Sequence, residues 1–138
     1  MIAQPRRFLV AAVLALAAAS CGKAGEEYSR DVLHAIDQGR LTGTKGTMET
    51  IGRALSAHAI DRGGYPAGAS ARDLLAALSP AFLPATQAVD AWGNELLYAS
   101  DTRTYTLTSA GADGRPGTDD DVVMVEGRFT RLPPPAAR

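Results

Sequence analysis

Between residues 111 and 121 the chain reads Gly-Ala-Asp-Gly-Arg-Pro-Gly-Thr-Asp-Asp-Asp. Four carboxylates, Asp113, Asp119, Asp120 and Asp121, are crowded onto one Gly/Pro-rich turn. Carboxylates that close repel one another unless a cation or solvent intervenes. An all-oxygen set on a flexible loop is what a hard cation such as Ca²⁺ prefers, and Gly111, Gly114 and Gly117 open the backbone angles that turn carbonyls inward. The EF-hand pattern is absent, because Met124 stands at the twelfth position from Asp113, where a bidentate Glu belongs. A solvated acidic turn is the plainer reading of the same residues.

Other side chains offer less chemistry. Ser109 near Asp113 is the one local nucleophile candidate, and no histidine is close to it in sequence. Paired aspartates can cleave glycosides, but clustered in one turn they suit a cation better, so no catalytic residue is expected and the chain does not read as an enzyme. His34 and His58 are too far apart to imply a pair. Trp92, followed by Gly93, reads as packing between helix and sheet.

The loop lies between strand-like runs. Thr104–Ser109 alternates Tyr105 and Leu107 inward with threonines outward, Glu95–Ser100 precedes it across an Asp101–Arg103 turn, and Val122–Glu126 follows, with Phe129–Leu132 continuing or extending it. Upstream the period is helical. Met48, Ile51, Leu55 and Ala59 form one stripe over Thr47–Arg62, which Gly63-Gly64 stops. Tyr28–Gln38 has a weaker helical pattern, and Gly39, Gly43 and Gly46 are expected to interrupt any continuous helix, each at about 1 kcal/mol. Ser70 and Asp73 form a variant capping box before Leu74, Leu75 and Leu78, and Pro80 ends that helix. Helices first and strands second imply an α+β domain with the long helix on a small three- to four-stranded antiparallel sheet.

The N-terminus reads as a targeting segment. Arg6 and Arg7 precede an apolar run, Phe8–Ala19, that is shorter than the roughly 20 residues of a membrane span. The single cysteine, Cys21, follows Ala18-Ala19-Ser20 and resembles the lipidated first residue of bacterial lipoproteins, although Ala18 stands where Leu is usual. Ordinary cleavage after Ala19 is the alternative. Loss of residues 1–20 leaves 118 residues with 12 basic and 15 acidic side chains, a net charge near −3. That balance argues against nucleic acid and against an electrostatic membrane role. Gly22 after the cysteine is similar to lipoproteins forwarded to the outer membrane.

Met48–Pro66, Asp90-Ala91-Trp92-Gly93-Asn94, the strand with Tyr98, Tyr105-x-Leu-x-Ser109 and Gly111-x-Asp113-Gly114 … Asp119-Asp120-Asp121-Val122 together resemble the major pseudopilin of type II secretion systems. The resemblance spans roughly residues 44–126 and implies a pilin-like head whose loop between the last two strands binds one Ca²⁺. It makes Asp113 the first acidic ligand and Asp119 and Asp121 the later ones, with Asp120 an open choice within the triple. Backbone carbonyls near Leu107 and Val122, and Ser109, would complete the shell. The chain departs from the family at its start, where the apolar run precedes the cleavage site instead of forming a mature polymerising stem. The expected organisation is a signal peptide over 1–20, a lipidated Cys21 with tether and short helix over 21–43, the head over 44–132, and a loose tail over 133–138. The expected function is a non-enzymatic, calcium-binding envelope lipoprotein facing the periplasm, with a secretion-system protein as partner. A calcium-dependent envelope binding module for a polymer or protein, unrelated to secretion, is the alternative, and a hydrolase using the aspartates a third.

Overall fold

The structure is a computed structural model; it describes residues 6–84 and 88–135, with side chains from residue 25 onward. The first five residues, the side chain of Cys21 and residues 136–138 lie outside the described residues, and with them the start of the expected signal, the expected lipid attachment and the end of the tail. The elements run α1 (Arg6–Arg62), α2 (Ala71–Leu78), β1 (Leu97–Ser100), β2 (Tyr105–Ser109), β3 (Val122–Val125) and β4 (Arg128–Arg131). Two compact units are present, residues 1–36 and 37–138. In the first, α1 exposes Tyr28, Val32, Leu33 and Ile36. Among the described residues no helix is long and apolar enough to cross a membrane.

The second unit is an α+β, pilin-like arrangement of a long helix and a four-stranded antiparallel sheet in the order β1-β2-β3-β4. Met48, Ile51, Ala54 and Leu55 of α1 pack with Leu96, Tyr98, Tyr105, Leu107, Val122 and Met124 of the sheet region, and Ala71, Leu74 and Leu78 of α2 join the same core. The inward set on β2 is the expected one: Tyr105, Leu107 and Ser109 are buried and Thr106 and Thr108 half-buried. Gly52 lets the helix sit close against the sheet. A Cβ there would stand 3.0 Å from the Tyr105 hydroxyl and 3.3 Å from Met124 Sδ.

The expected break in the first helix does not occur. α1 runs through Gly39, Gly43 and Gly46, and through Gly22–Glu27, where a tether was expected. Propensity is a weak term beside tertiary packing, and between Gly43 and Gly46 the helix is held from outside at Thr44. Thr44 is fully buried, and its hydroxyl accepts the Ala91 amide at 3.0 Å. The hydroxyls of Thr42, Thr47 and Thr50 donate to carbonyls four residues earlier, at 2.9, 3.2 and 2.9 Å. Gly63, at φ 79°, caps the helix by donating its amide to Ala59 O at 2.9 Å.

Three smaller points refine the sequence reading. Ser70 caps α2 as expected, accepting the Asp73 amide at 3.1 Å, but Leu75 is only half-buried, as is Ala59 on α1. Residues 128–131 form a separate fourth strand, because Glu126 and Gly127 both take positive φ (48° and 80°) and turn the chain back on itself. Asp101 closes the β1–β2 turn by accepting the amides of Arg103 and Thr104 at 2.9 and 2.8 Å.

Candidate functional site

The acidic loop fills the β2–β3 connection, and the Ser109–Val122 pair closes its mouth. Leu107 lies two residues deeper, mid-strand, in register with Tyr98 on one side and Met124 on the other. Each of the four aspartates has its own surroundings. Asp113 is exposed and accepts the Arg115 amide at 2.8 Å. Asp119 is exposed as well. Asp120 is half-buried and turns inward, accepting the Asp113 amide at 3.0 Å. Asp121 is buried; its Oδ2 accepts the Gly117 amide at 2.7 Å and lies 3.6 Å from the Arg131 guanidinium.

Thr118, which the sequence reading passed over, stands at the centre of this loop. Its hydroxyl lies 2.5 Å from Asp120 Oδ1, 3.0 Å from Arg115 O and 3.4 Å from Asp113 Oδ1. One hydroxyl proton serves only one acceptor at a time, so three oxygens share what a single donor supplies. Partial burial pushes the Asp120 carboxyl up, but hydrogen bonds from the Thr118 hydroxyl and the backbone amides of Asp113, Asp120 and Ala112 together outweigh it, and the net position is below the ordinary value.

Tested against a hard cation, the donor chemistry fits: Asp113 and Asp120 converge on one point, and Asp121 Oδ1 is buried with no hydrogen-bond partner among the described residues. A third acidic or imidazole ligand is not in place, since among the described residues no group of three His, Cys, Asp or Glu side chains is gathered for a metal.

Behind the loop sits a carboxylate that sequence reading used only as part of a family motif. Asp90 is 5% exposed and accepts four hydrogen bonds. Oδ1 takes the amides of Trp92 and Asn94 at 3.0 and 2.8 Å. Oδ2 takes the Ser109 hydroxyl at 2.7 Å and Asn94 Nδ2 at 3.3 Å. The signal was available: an Asp two residues before a Trp-Gly is a strong former of an Asx turn. Trp92 itself is half-buried.

The remaining candidates hold no paired chemistry. His34 is exposed; His58 sets Nδ1 3.0 Å from Gly64 O and its ring edge-on to Phe82. A groove of 540 Å³ between α1 and the β3–β4 turn is lined by Glu49, Arg53, Ser56 and Ile60, and the Ser56 hydroxyl there is bonded to Gly52 O at 2.9 Å.

A helix-on-meander domain whose long loop joins the two central strands and rests on an Asp-x-Trp-Gly turn narrows the family, and the family model that matches residues 31–127 is type II secretion system (T2SS), protein G. The chain belongs to the type II secretion protein G family. The match covers more than half of the sequence and contains α2, the strands β1, β2 and β3 and the acidic loop. No curated protein and no solved structure matches at a significant level. As a member of the protein G family the chain is a pseudopilin-like component of the cell envelope, and that family's role is structural, through contacts with other secretion-system proteins.

Proposed function

We propose that this chain is a non-enzymatic, calcium-binding pseudopilin-like lipoprotein, the protein G head held at the membrane by a lipid on Cys21. The observation that carries the reading is the β2–β3 loop, which lies inside the family match and brings Asp113 and Asp120 to one hydroxyl. Asp113 and Asp120 would supply the first ligands, Asp121 would turn its unpartnered Oδ1 in as the third, and Asp119 and the Val122 carbonyl lie beside them; Leu107, mid-strand, and the Ser109 hydroxyl, bonded to Asp90 and Gly111, would support the loop from behind. Bound there, Ca²⁺ would supply the charge that four adjacent carboxylates lack and would fasten β2 to β3, giving a fixed surface to a secretion-system partner in the envelope. The cysteine context and Gly22 support an outer-membrane lipoprotein facing the periplasm.

Thermal melts in Ca²⁺ and in EGTA test the metal. A ligand that binds only the native state at a hundredfold excess over Kd stabilises by about 2.7 kcal/mol, a shift that is easily read. An unchanged midpoint together with no bound ion by elemental analysis overturns the calcium reading. For the anchor, Cys21→Ala is expected to abolish lipid labelling and membrane fractionation; retention of both refutes it.

A further inference from the structure

The two side-chain oxygens of Asp90 face different tasks. Oδ1 closes a local turn onto Trp92 and Asn94, and Asp101 does the same at the surface, accepting the amides of Arg103 and Thr104 without being buried. A turn of this kind therefore gives no reason to bury a carboxylate, which is costly unless its oxygens are well satisfied. Among the described residues no Lys, Arg or His pairs with Asp90. Its Oδ2 instead faces Ser109 and Asn94, two residues that reach the first turn of the acidic loop.

Both reach it at the same residue. The Gly111 amide donates to Ser109 Oγ at 3.2 Å, and Asn94 Nδ2 donates to Gly111 O at 2.9 Å. Gly111 has φ 62°, and a Cβ on it would strike the carbonyl and carboxylate of Asp120. The first turn of the loop and its inward aspartate are thus in contact at Gly111. Asn94 also lies beside Gly114, where a Cβ would stand 3.2 Å from Asn94 Oδ1.

We infer that Asn94, oriented by Asp90, is a positioning residue that holds Gly111 and through it Asp120 in the geometry the loop needs to bind a divalent cation. The inference rests on the calcium reading above for its ligand, and on this chain's own hydrogen bonds for the positioning. Neither Asn94 nor Asp90 need touch the ion. Groups that orient ligands from behind typically set metal affinity by about 10–100-fold.

The test uses Asn94→Ala in the full chain, with Asn94→Ser as a second variant that keeps a small polar side chain at the turn while removing Nδ2. Two quantities are read: Ca²⁺ affinity by titration calorimetry, and amide hydrogen exchange without metal. The expected result is a Ca²⁺ affinity at least about tenfold weaker. Amides at Asp113 and Gly117 should exchange roughly tenfold faster, while Leu107 and Met124 in the ladder keep wild-type rates. Loop exchange and affinity within twofold of wild type in either folded variant overturn the inference, as does equal acceleration in the ladder, which is a general loss of stability. If the wild type binds no Ca²⁺ but the loop amides still loosen in the variants, the calcium reading fails and the positioning of the loop stands. If the wild type binds and the variants match it, the positioning fails alone.

Discussion

Replacing Asp90 with alanine removes four hydrogen bonds at once, at 2.7, 2.8, 3.0 and 3.3 Å. A bond to a charged group contributes about 1.5–3 kcal/mol when its partner is buried. The Ser109 hydroxyl is fully buried and bears that cost. The amides of Trp92 and Asn94 belong to half-buried residues, so water replaces part of what they lose, and the 3.3 Å contact is weak. Removing the carboxylate also returns its desolvation cost, which offsets some of the sum. The net loss for Asp90→Ala is about 3 kcal/mol. For a domain of roughly 100 residues this lowers Tm by about 12–24 °C. Asp90→Asn keeps an acceptor for the two backbone amides but points an NH₂ at Ser109 and Asn94 Nδ2. Ser109 can rotate to accept, and Asn94 Nδ2 keeps its bond to Gly111 O while the hydrogen that faced Asp90 loses its acceptor, so the loss should be about half as large. Circular-dichroism melts of the purified chain in EGTA read both variants. Asp90→Ala within about 3 °C of wild type refutes the reasoning. A loss as large for Asn as for Ala shows that charge, not geometry, is what matters.

Three further outcomes are expected. Gly111→Ala meets both a positive φ and the Asp120 backbone and should cost about 2–4 kcal/mol in urea unfolding, whereas Gly117→Ala, at φ 97° with open space around it, should cost only about 1. Gly52→Ala gains helix propensity of about 1 kcal/mol against a tight contact and should be near neutral, while Gly52→Leu must lift α1 off Tyr105 and should lose about 3 kcal/mol by the same assay. Burial, and secondarily the neighbouring Tyr65, holds the Tyr105 phenol up at about 12 against an ordinary 10.0. The unfolded phenol ionises first, so stability is intact below pH 10 and falls as pH rises through 12, by about 2–3 kcal/mol; in Tyr105→Phe this part of the alkaline loss should disappear from urea titrations between those pH values.

Where a single periodicity decided the outcome, the sequence was a sufficient guide. The Met48–Leu55 stripe and the alternation of β2 needed no tertiary information, because burial on one face is what the pattern encodes. The continuity of α1 was not legible, since glycine propensity is local and the residue that overrides it, Thr44, is a buried polar side chain whose partner Ala91 is 47 positions away. The site divides the same way. Acidic crowding announced the loop, but which aspartate turns inward depends on Thr118, an unremarkable threonine until its hydroxyl is placed between Asp113 and Asp120. Asp90 could be read as a turn former; that its second oxygen serves a loop about twenty residues later could not.

The order β1-β2-β3-β4 has a mechanical consequence. The β1–β2 and β3–β4 connections span residues 101–104 and 126–127, whereas β2–β3 spans 110–121. Going from a two-residue to a twelve-residue connection adds about 1.6 kcal/mol of closure entropy at the middle of the sheet. The sheet is thus two tight hairpins joined along one loosely closed seam. Pulled apart or partly unfolded, it should part between β2 and β3 first, and whatever holds Gly111 and Asp120 in place is the clasp on that seam.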